Sequence, residues 1–589
     1  MKKDVISTMF FSSAVAMIFT QLAGYCAVLI DGIITSRALG PDAYSAISLL
    51  WPFTGVILLL SGSISTGNQV VSSNLVGAGE KEKANSAFSL SIILVMLFAA
   101  LLLIGCVVMP GQMFRICGVS LDKHPELYAH MLDYLHGYMI GVPFMMLIQI
   151  IGPMIVIDNS KILFTNSAFV LCICDIIGDI LNAYVFHGGT FGMGLATSIS
   201  YVIQLLIIMT HFLKKNCYFH FSFRALYVKQ IKEIFQAASP TFVSKFATTL
   251  RDLLINRINL MVALTTAAIA ARGMQNDLNT VLFCIGLGIS KTLITMTGIY
   301  YSADDRQGLT RLFSYAMKMS VIFAGTAGLI SFFGAEYIAK IFSTDPEFVS
   351  LAVFSIQCMA LGLIPDTLAI SFQNYLQGIK NRKLVNVMNF CERFFIPVLT
   401  AYVLGINFGS KGIMASIAVG KFILIFMMFI IVCVHCKAFP KKWSDFMFLP
   451  SDFGGDKSNN MYASIKNIDD VMKTRDETED FCVKLGMTDK KAKLIALFVE
   501  EMAGNIVQHG ITKKKRPSSV EFRLFVKDNK VCITLRDCCG YFDPVAFYNA
   551  HNNENPENMT GIRIVTKLAK EIRYFNAFNS NNIIIYSEQ

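Results

Sequence analysis

The stretch Val28-Leu-Ile-Asp-Gly-Ile-Ile-Thr35 places a carboxylate inside a long apolar run near the start of the chain. The run is long enough for a membrane-spanning helix, which needs about 20 apolar residues. It follows Lys2 and Lys3 and extends past the length of a signal peptide, so we predict a first membrane helix that is retained. An ionisable group such as Asp31 is costly inside a membrane and therefore marks a candidate functional site.

The chain as a whole has the composition of a protein that crosses the membrane many times. Its 589 residues are 54% hydrophobic and 16% charged, which is far from the balance of soluble domains. Apolar segments of spanning length recur with short polar breaks between them. The twelve predicted segments are 9–34, 45–73, 86–109, 131–156, 162–185, 193–213, 241–265, 274–299, 313–341, 350–376, 384–404 and 411–436.

The net charge of +10 is concentrated in the turns between these segments and does not indicate a nucleic-acid partner. If the N-terminus is cytosolic, the inside turns carry roughly three times as many Lys and Arg as the outside turns, the bias that sets topology. We therefore expect a location in the cytoplasmic membrane with both termini in the cytosol. The 15 Cys show no paired CxxC motif, which favours packing residues in a reducing compartment over disulfides or metal ligands.

Two parts of the membrane region resemble each other. Phe191-Gly-Met-Gly-Leu-Ala-Thr-Ser-Ile199 is similar to Phe408-Gly-Ser-Lys-Gly-Ile-Met-Ala-Ser-Ile417, and Gly62-Ser-Ile-Ser-Thr-Gly67 is similar to Gly286-Leu-Gly-Ile-Ser-Lys291. The nearly equal offsets predict two consecutive six-helix repeats, with which many secondary transporters build a site of alternating access. The predicted repeats are residues 1–218 and 219–445.

Further carboxylates fall within the predicted helices. Asp175, Asp179 and Asn182 are spaced i, i+4, i+7 and share one face of the fifth helix, and Asp366 lies in the tenth. A carboxylate in an apolar cavity can exchange protons near neutral pH or hold Na⁺ with nearby carbonyls, which is the chemistry of an ion-coupled exporter. The alternative is that these groups are hydrated at helix ends or paired with a nearby Lys or Arg.

Basic residues also occur in the predicted helices, namely Lys245, Arg251, Lys291 and Arg393. They could admit an anionic substrate as well as a cationic one, or could extend to the membrane surface. Arg393 directly follows Glu392, and residues one apart on a helix do not face each other. We therefore predict that these two do not form a simple internal pair.

The membrane region resembles the multidrug and toxic compound extrusion (MATE) family of tandem six-helix transporters. The resemblance is carried by Asp31-Gly-Ile-Ile-Thr-Ser-Arg-Ala-Leu-Gly40, Gly77-Ala-Gly79 and Gly189-Thr-Phe-Gly-Met-Gly-Leu-Ala-Thr197. It implies a V-shaped pair of helical bundles that exports drugs or metabolites, driven by H⁺ or Na⁺.

The same resemblance assigns roles to single residues. It implies that Asp31 is the coupling carboxylate of helix one and that Asp366 takes the position of a helix-ten carboxylate found in one branch of the family. Asn182 stands where some members have Asp. A glutamate that the cation-coupled branch carries in helix seven has no match here, which leaves the coupling ion and the substrate charge open.

A linker predicted at residues 446–460 is rich in Gly, Asp, Ser and Asn and leads to a charged domain predicted at 461–589. Its pattern predicts a sheet with helices on one side, an α+β sandwich. The predicted strands are 461–466, 518–526, 530–537, 571–575 and 581–586, the helices are 468–485, 488–509 and 560–570, and a polar loop spans 539–558.

One helix of this domain carries polar residues on a single face. Glu501 and Asn505 are four residues apart in Phe498-Val-Glu-Glu-Met-Ala-Gly-Asn-Ile-Val-Gln-His-Gly510 and project together, and His509 extends the same face. A Glu can orient or deprotonate an attacking hydroxyl, and an Asn can hold hydrated Mg²⁺ between phosphates.

Two later segments complete a candidate nucleotide site. A buried Asp537 at the end of a strand could accept a hydrogen bond from the adenine amino group, and Gly561 opens a helix whose N-terminal amides could hold phosphate. The order and spacing resemble the histidine-kinase-like ATPase fold, specifically the anti-sigma-factor serine kinases. The resemblance implies ATP and Mg²⁺ as cofactors, with Glu501 as catalytic base, Asn505 as Mg²⁺ ligand and Asp537 as adenine reader.

The sequence departs from that family at two glycines. Cys539 stands where a Gly is usual, with Gly540 next, and the Gly-x-Gly phosphate motif is reduced to Gly561-Ile-Arg563. Arg563 could contact phosphate or obstruct it. The chain has no Walker-type phosphate loop, so the domain does not resemble an ATP-driven transport motor.

The sequence therefore favours an ion-coupled antiporter that moves a small molecule across the lipid membrane and carries an ATP-binding regulatory domain. That domain would gate transport, or would phosphorylate or sequester a protein partner. Two alternatives stay open. One is a transporter-like membrane sensor that signals through a Ser/Thr kinase domain, and the other is a flippase for an anionic lipid-linked substrate.

Overall fold

The computed structural model describes the chain outside a set of short gaps. The described residues are 5–39, 43, 46–47, 50–116, 125–214, 217–222, 226–262, 266–342, 346–450, 453–454, 457–512, 519–527, 530–544, 546, 548, 560–578 and 580–588. The helices of the membrane region, in chain order, are α1 (Val5–Ala38), α2 (Trp51–Gly77), α3 (Lys81–Val108), α4 (Pro110–Ile116), α5 (Pro125–Met139), α6 (Val142–Ile157), α7 (Lys161–Leu181), α8 (Gly189–Met209), α9 (Lys229–Val262), α10 (Thr266–Ser302), α11 (Arg306–Phe333), α12 (Ala335–Phe342), α13 (Pro346–Gly378), α14 (Arg382–Phe390) and α15 (Ile396–Cys436).

The predicted helical membrane architecture is confirmed. Within the described residues, eight helical stretches are long and apolar enough to cross a membrane, and the bent pair of α5 and α6 makes a ninth. The last of these stretches runs over Arg382–Cys436 and holds two predicted segments, because Gly409 in α15 has a non-helical backbone with φ 65°. Each of the twelve predicted segments overlaps a helix of the structure.

Two predicted segments are divided in the structure. The fourth bends by 46° between α5 and α6. Gly141 at this bend lies against Ser198, whose Cα would be 2.6 Å from an added Cβ, and Pro143 in the first turn of α6 cannot donate a backbone hydrogen bond. The predicted segment 313–341 likewise forms two helices, α11 and α12.

The C-terminal domain has the predicted α+β architecture. Its five strands form an antiparallel sheet in the order β1-β2-β3-β5-β4. Three helices pack on one face of this sheet, and their apolar side chains share one core with Leu524, Ile533 and Ile585 of the strands. The elements are β1 (Asn460–Ile465), α16 (Ile468–Lys484), α17 (Asp489–Asn505), β2 (Val520–Lys527), β3 (Lys530–Asp537), α18 (Thr560–Leu568), β4 (Glu571–Ala577) and β5 (Ser580–Glu588).

The other face of the sheet lies against turns of the membrane region. Arg536 of β3 forms a buried ion pair with Asp305, in the turn between α10 and α11. Arg573 of β4 hydrogen-bonds to the carbonyl of Ala78, in the turn between α2 and α3. We call this end of the membrane region the tail side.

Candidate ion and nucleotide sites

Three carboxylates come together where α1 packs along α7. Asp31 on α1 lies close to Asp179 on α7, and Asp175 is close enough to interact electrostatically with both. Thr35 donates a hydrogen bond of 3.3 Å to Asp31. We call these three aspartates the N-half cluster.

The N-half cluster lacks partners for several of its oxygen atoms. Both carboxylate oxygens of Asp179 and one oxygen of Asp175 are buried without a hydrogen-bond partner among the described residues. Buried carboxylate oxygens are almost always hydrogen-bonded or paired with a cation, because desolvation is costly. The cluster therefore has oxygen donors of the kind that a proton or Na⁺ could occupy.

Three tyrosines surround this cluster and were not singled out from the sequence. Tyr134 and Tyr138 on α5 stack with ring centroids 5.7 Å apart, and Tyr138 hydrogen-bonds to Tyr201 on α8. All three interact electrostatically with Asp31 and Asp175. Their spacing resembles that of ordinary core aromatic residues, so the sequence offers no signal that would separate them.

Asn182 lies at the point where the helix changes its geometry. It begins a π-helical segment, Asn182–Phe186. Its side-chain amide donates to the carbonyl of Gly189 at 2.9 Å and accepts from the backbone N–H of Gly188 at 3.1 Å. These bonds hold the turn between α7 and α8, so the Asn182 amide serves the turn and not the aspartates.

Asp366 belongs to a second charged cluster, in the other half of the membrane region. It pairs with Lys421 on α15, and Lys421 is also 3.2 Å from a carboxylate oxygen of Glu392. Arg393 approaches the same oxygen at 3.2 Å, and Gln373 donates to the other oxygen of Glu392. We call these five residues the C-half cluster, in which each carboxylate has a cationic partner.

The prediction that Glu392 and Arg393 do not pair was wrong. They lie in a π-helical segment, Cys391–Phe395, where the backbone is wider than the α-helix on which the prediction was based. The partnership of Lys421 was also missed, because it joins residues 55 positions apart. The sequence feature that could have indicated this ion pair is the position of Lys421 inside the apolar run of α15.

Two further lysines lie where the halves meet. Lys291 on α10 donates a hydrogen bond of 3.1 Å to Gln21 on α1. Lys245 on α9 interacts electrostatically with Lys291 and with Arg393. This group brings positive charge to the boundary between the halves.

The candidate nucleotide residues converge at one end of the C-terminal domain. Glu501 and Asn505 lie on α17, and the carboxylate of Glu501 touches the first turn of α18. A Cβ added at Gly561 would be 1.8 Å from a Glu501 oxygen, so only glycine allows this approach. Burial, helped by the neighbouring Glu500, raises the pKa of Glu501, as expected for a group that takes a proton.

Asp537 ends β3 and is buried, and burial raises its pKa. One of its oxygens accepts hydrogen bonds from the Cys539 N–H at 2.8 Å and from the Asn581 side chain at 3.0 Å. Asn581 also donates to the carbonyl of Gly540 at 3.0 Å. Asn581 thus holds the positions of Asp537 and Gly540 relative to each other. It was not predicted from the sequence.

The remaining candidates lie around this end. His509 is exposed on a π-helical segment, Ile506–Thr512, that continues α17. Gly510 of the same segment lies against Cys539, whose sulfur would be 2.7 Å from an added Cβ, so the end of α17 touches the loop after β3. Arg563 is partly buried on α18. Most of the predicted polar loop, 539–558, lies outside the described residues, which omit 545, 547 and 549–558.

These residues fit ATP and Mg²⁺. The asparagine amide and the Glu501 carboxylate are oxygen donors of the kind that Mg²⁺ prefers. The first turn of α18 offers backbone amides to a phosphate group, provided that the Glu501 carboxylate, which lies against Gly561, moves aside. The buried carboxylate of Asp537 is a suitable acceptor for an adenine amino group.

A separate buried group has the residue types of a metal site. Ligand atoms of Asp158, His211 and Cys217 lie within 4.8 Å of one another. The ring nitrogens of His211, however, already bond to Asp158 at 2.9 Å and to Ser160 at 2.7 Å, and Cys217 donates to the His211 carbonyl at 3.2 Å. Protein hydrogen bonds therefore account for this group as a brace for the turn after α6.

Comparison with known proteins decides the family. The MatE family model matches residues 16–181 and 240–403, more than half of the chain. The chain belongs to the MatE family. Each matched stretch of this MATE chain falls within one predicted repeat. Residues 466–586 match the model of the histidine kinase-like ATPase domain.

Curated relatives and solved structures agree with this assignment. The chain is 24% identical over 393 residues to the multidrug export protein MepA of Staphylococcus haemolyticus, covering 66% of this chain and 84% of the relative. It is 22% identical over 404 residues to an FAD transporter of Shewanella oneidensis, covering 66% and 85%.

Two solved transporter structures share the fold of the membrane region. An outward-facing multidrug resistance MATE transporter has a TM-score of 0.66 at 17% identity and covers 72% of this chain and 94% of its own. A Pyrococcus furiosus transporter described as having a binding pocket of reverse polarity has the same values. The chain is therefore a multi-pass membrane transporter of the MATE family with a C-terminal histidine kinase-like ATPase domain.

Proposed function

We propose that the protein is an antiporter that exports drugs or metabolites across the cytoplasmic membrane in exchange for H⁺ or Na⁺. The observation that carries this proposal is the N-half cluster, in which both oxygens of Asp179 and one of Asp175 are buried without a hydrogen-bond partner among the described residues. A cation bound there would neutralise the carboxylates, and its loss would restore repulsion between Asp31 and Asp179. Such a difference between loaded and empty states is what couples an ion gradient to a conformational change.

The proposed orientation places the tail side in the cytosol. The turns that contact the C-terminal domain belong to the set that is rich in Lys and Arg, and such turns stay on the cytoplasmic side. The ATPase-like domain would then have access to ATP. Substrate would enter from the tail side and leave from the opposite side.

The C-terminal domain binds ATP with Mg²⁺ in this proposal and regulates the transporter. Glu501 acts as base, Asn505 as Mg²⁺ ligand and Asp537 as adenine reader. In this proposal the domain also phosphorylates a protein partner, as its resemblance to serine-protein kinases implies. Transport itself draws on the ion gradient, so ATP is not its energy source.

A second candidate concerns the substrate. Lys245, Lys291 and Arg393 bring positive charge to the boundary between the halves, which favours an anionic substrate, including a lipid-linked one. The FAD transporter among the relatives supports the same direction, because FAD is an anion. The sensor alternative rests on the kinase-like domain alone.

Ethidium efflux from proteoliposomes, driven by an imposed H⁺ or Na⁺ gradient, tests the first proposal without ATP. We expect gradient-driven efflux by the wild type and a rate about 100-fold lower for Asp31→Asn. Asp133→Asn is the matched control, because Asp133 is an exposed aspartate on α5. Equal rates for Asp31→Asn and the wild type would contradict the ion-coupling role of the N-half cluster.

Flavin adenine dinucleotide in place of ethidium tests the second candidate. Transport of the anion that falls on Lys291→Gln supports it, and transport of ethidium alone contradicts it. Phosphorylation of a cytosolic protein that disappears on Glu501→Ala, without movement of either probe, would instead establish the sensor reading.

A further inference from the structure

The face of the sheet that carries no helices of the C-terminal domain is apolar and packs on the membrane region. Side chains alternate between the faces of a strand, and on β3 Ile533 and Leu535 enter the core of the C-terminal domain. The alternate residue Cys532 joins the hydrophobic cluster of the membrane region, as do Phe525 on β2 and Ile584 on β5. The C-terminal domain is therefore packed onto the membrane region through its sheet and not merely tethered to it.

Two arginines of this face hold the turn between α10 and α11. Arg536 pairs with Asp305, and their side chains are only 5% and 3% exposed. Arg523 donates to the carbonyls of Ala303 and Asp304 at 3.0 and 2.7 Å. This turn belongs to the second half of the membrane region.

The far edge of the same sheet contacts the first half. Arg573 on β4 bonds to the carbonyl of Ala78, between α2 and α3. Gly79 is so close that an added Cβ would lie 2.5 Å from the Arg573 side chain. The backbone N–H of Phe578 donates to the carbonyl of Ile157, at the end of α6, at 3.1 Å.

The two halves also meet each other directly beneath the sheet. A Cβ added at Gly77, the last residue of α2, would lie 2.4 Å from the carbonyl oxygen of Ile299 on α10. Ser302, the last residue of α10, donates to Asn74 on α2 at 2.8 Å. The seam between the halves is thus closed on the tail side, and the sheet spans it.

We propose that the C-terminal domain is a clamp that holds the tail side of the transporter closed and must release one half before that side can open. The proposal rests on the proposed alternating-access export and adds its regulation. Opening on the tail side has to separate α2 from α10, which moves Ala78 away from Ala303. A hydrogen-bonded five-stranded sheet cannot follow both turns, so one set of arginine contacts must break.

The clamp lies next to the candidate nucleotide site. Arg536 and Asp537 are neighbours on β3 and point to opposite faces of the sheet. Asp537 takes part in the candidate adenine site, and Arg536 binds the transporter. A shift of β3 on nucleotide binding would therefore act directly on the docking contact.

Hydrogen exchange of the full chain in nanodiscs tests the clamp without any substrate. In Arg536→Asp we expect exchange of residues 74–79 and 299–305 to be faster by about tenfold. The charge swap Arg536→Asp with Asp305→Arg should restore protection. Lys473→Asp is the matched control, since Lys473 lies on α16 with its side chain 75% exposed, and it should leave both segments at wild-type rates.

Two outcomes overturn the clamp. One is wild-type exchange of both segments in Arg536→Asp while α17 remains protected. If α17 loses protection, so that the domain has unfolded, Arg523→Gln decides instead, and wild-type exchange there with a folded domain also overturns the proposal. Ethidium efflux separates the two proposals when the same protein preparations are reconstituted into liposomes. If the wild type does not transport ethidium, the export function is contradicted, while the hydrogen-exchange result for the clamp is unaffected.

Discussion

The two halves of the membrane region bury charge in opposite ways. In the N-half cluster three aspartates approach one another, and several of their oxygens lack a partner among the described residues. In the C-half cluster Asp366 and Glu392 share the ammonium group of Lys421, and Arg393 supplies a second positive charge. The two halves thus contain one carboxylate cluster without a cationic partner among the described residues and one that carries its own cations.

The same contrast recurs in and around the C-terminal domain. Asp305 is fully compensated by arginine, whereas Glu501 lies half-buried beside another glutamate. Compensated groups stabilise the structure, and uncompensated ones are available for chemistry. The following predictions test this division, from the largest expected effect to the smallest.

Removal of Lys421 should destabilise the protein most. Lys421→Met leaves Asp366 and Glu392 buried with one cation fewer, and breaking a buried ion pair from one side costs about 3–5 kcal/mol of unfolding free energy. Thermal unfolding of the purified protein in detergent measures this loss. Lys411→Met on the same helix is the control, because Lys411 is exposed. An equally small change in both variants would show that the C-half cluster is not a structural ion-pair network.

Asp305→Asn should cost about 2 kcal/mol of unfolding free energy, because it leaves the Arg536 guanidinium buried without its counter-ion. Burial by itself raises the pKa of Asp305, but the charges of Arg536 and Arg523 outweigh it and lower that pKa below its usual range.

The sign of this shift fixes the pH dependence. The stabilisation is complete above the ordinary aspartate pKa of about 3.9 and disappears only as the pH falls through the lower folded value. Calorimetry should therefore give the same difference between Asp305→Asn and the wild type at pH 7 and at pH 5. A difference that shrinks between these two values would contradict the assignment.

Asp179→Asn should raise the unfolding free energy, whereas the two preceding substitutions lower it. Replacing one uncompensated carboxylate relieves repulsion within the N-half cluster, so the unfolding free energy should rise by about 1 kcal/mol while transport is lost. Thermal unfolding and ethidium efflux of the same preparation measure both effects. A loss of stability like that of Lys421→Met would mean that the aspartates are compensated after all.

Glu501→Gln should stabilise the C-terminal domain by a few tenths of a kcal/mol. Its folded pKa is raised by burial, so the charged form disfavours folding at neutral pH, and the gain should vanish below the pH at which Glu501 is protonated. Calorimetry at pH 7 and pH 4 checks the difference, and phosphotransfer measures the expected loss of activity. A lower unfolding free energy of Glu501→Gln than of the wild type at pH 7 would contradict this prediction.

Much of the architecture could be predicted from the sequence because it depends on local patterns. Apolar length identifies the membrane helices, and the alternation of polar and apolar residues gives the strands and helices of the C-terminal domain nearly to the residue. The shared face of Asp175 and Asp179 follows from their four-residue spacing.

What the sequence did not reveal depends on contacts between distant residues. Lys421 meets Asp366 across 55 positions, and Arg536 meets Asp305 across 231, so no local pattern marks either pair. The switch from α-helix to π-helix at Asn182 was also missed, together with the bonds of its side chain to the following turn. Such switches have no signature in apolar periodicity.

Cation binding by the purified protein tests the central claim most directly. Uptake of protons or radioactive Na⁺ per molecule should be measured for the wild type, Asp31→Asn and Asp366→Asn. The account predicts that Asp31→Asn loses the coupled cation and Asp366→Asn retains it, because Lys421 already occupies the C-half cluster. Retention by Asp31→Asn together with loss by Asp366→Asn would contradict it.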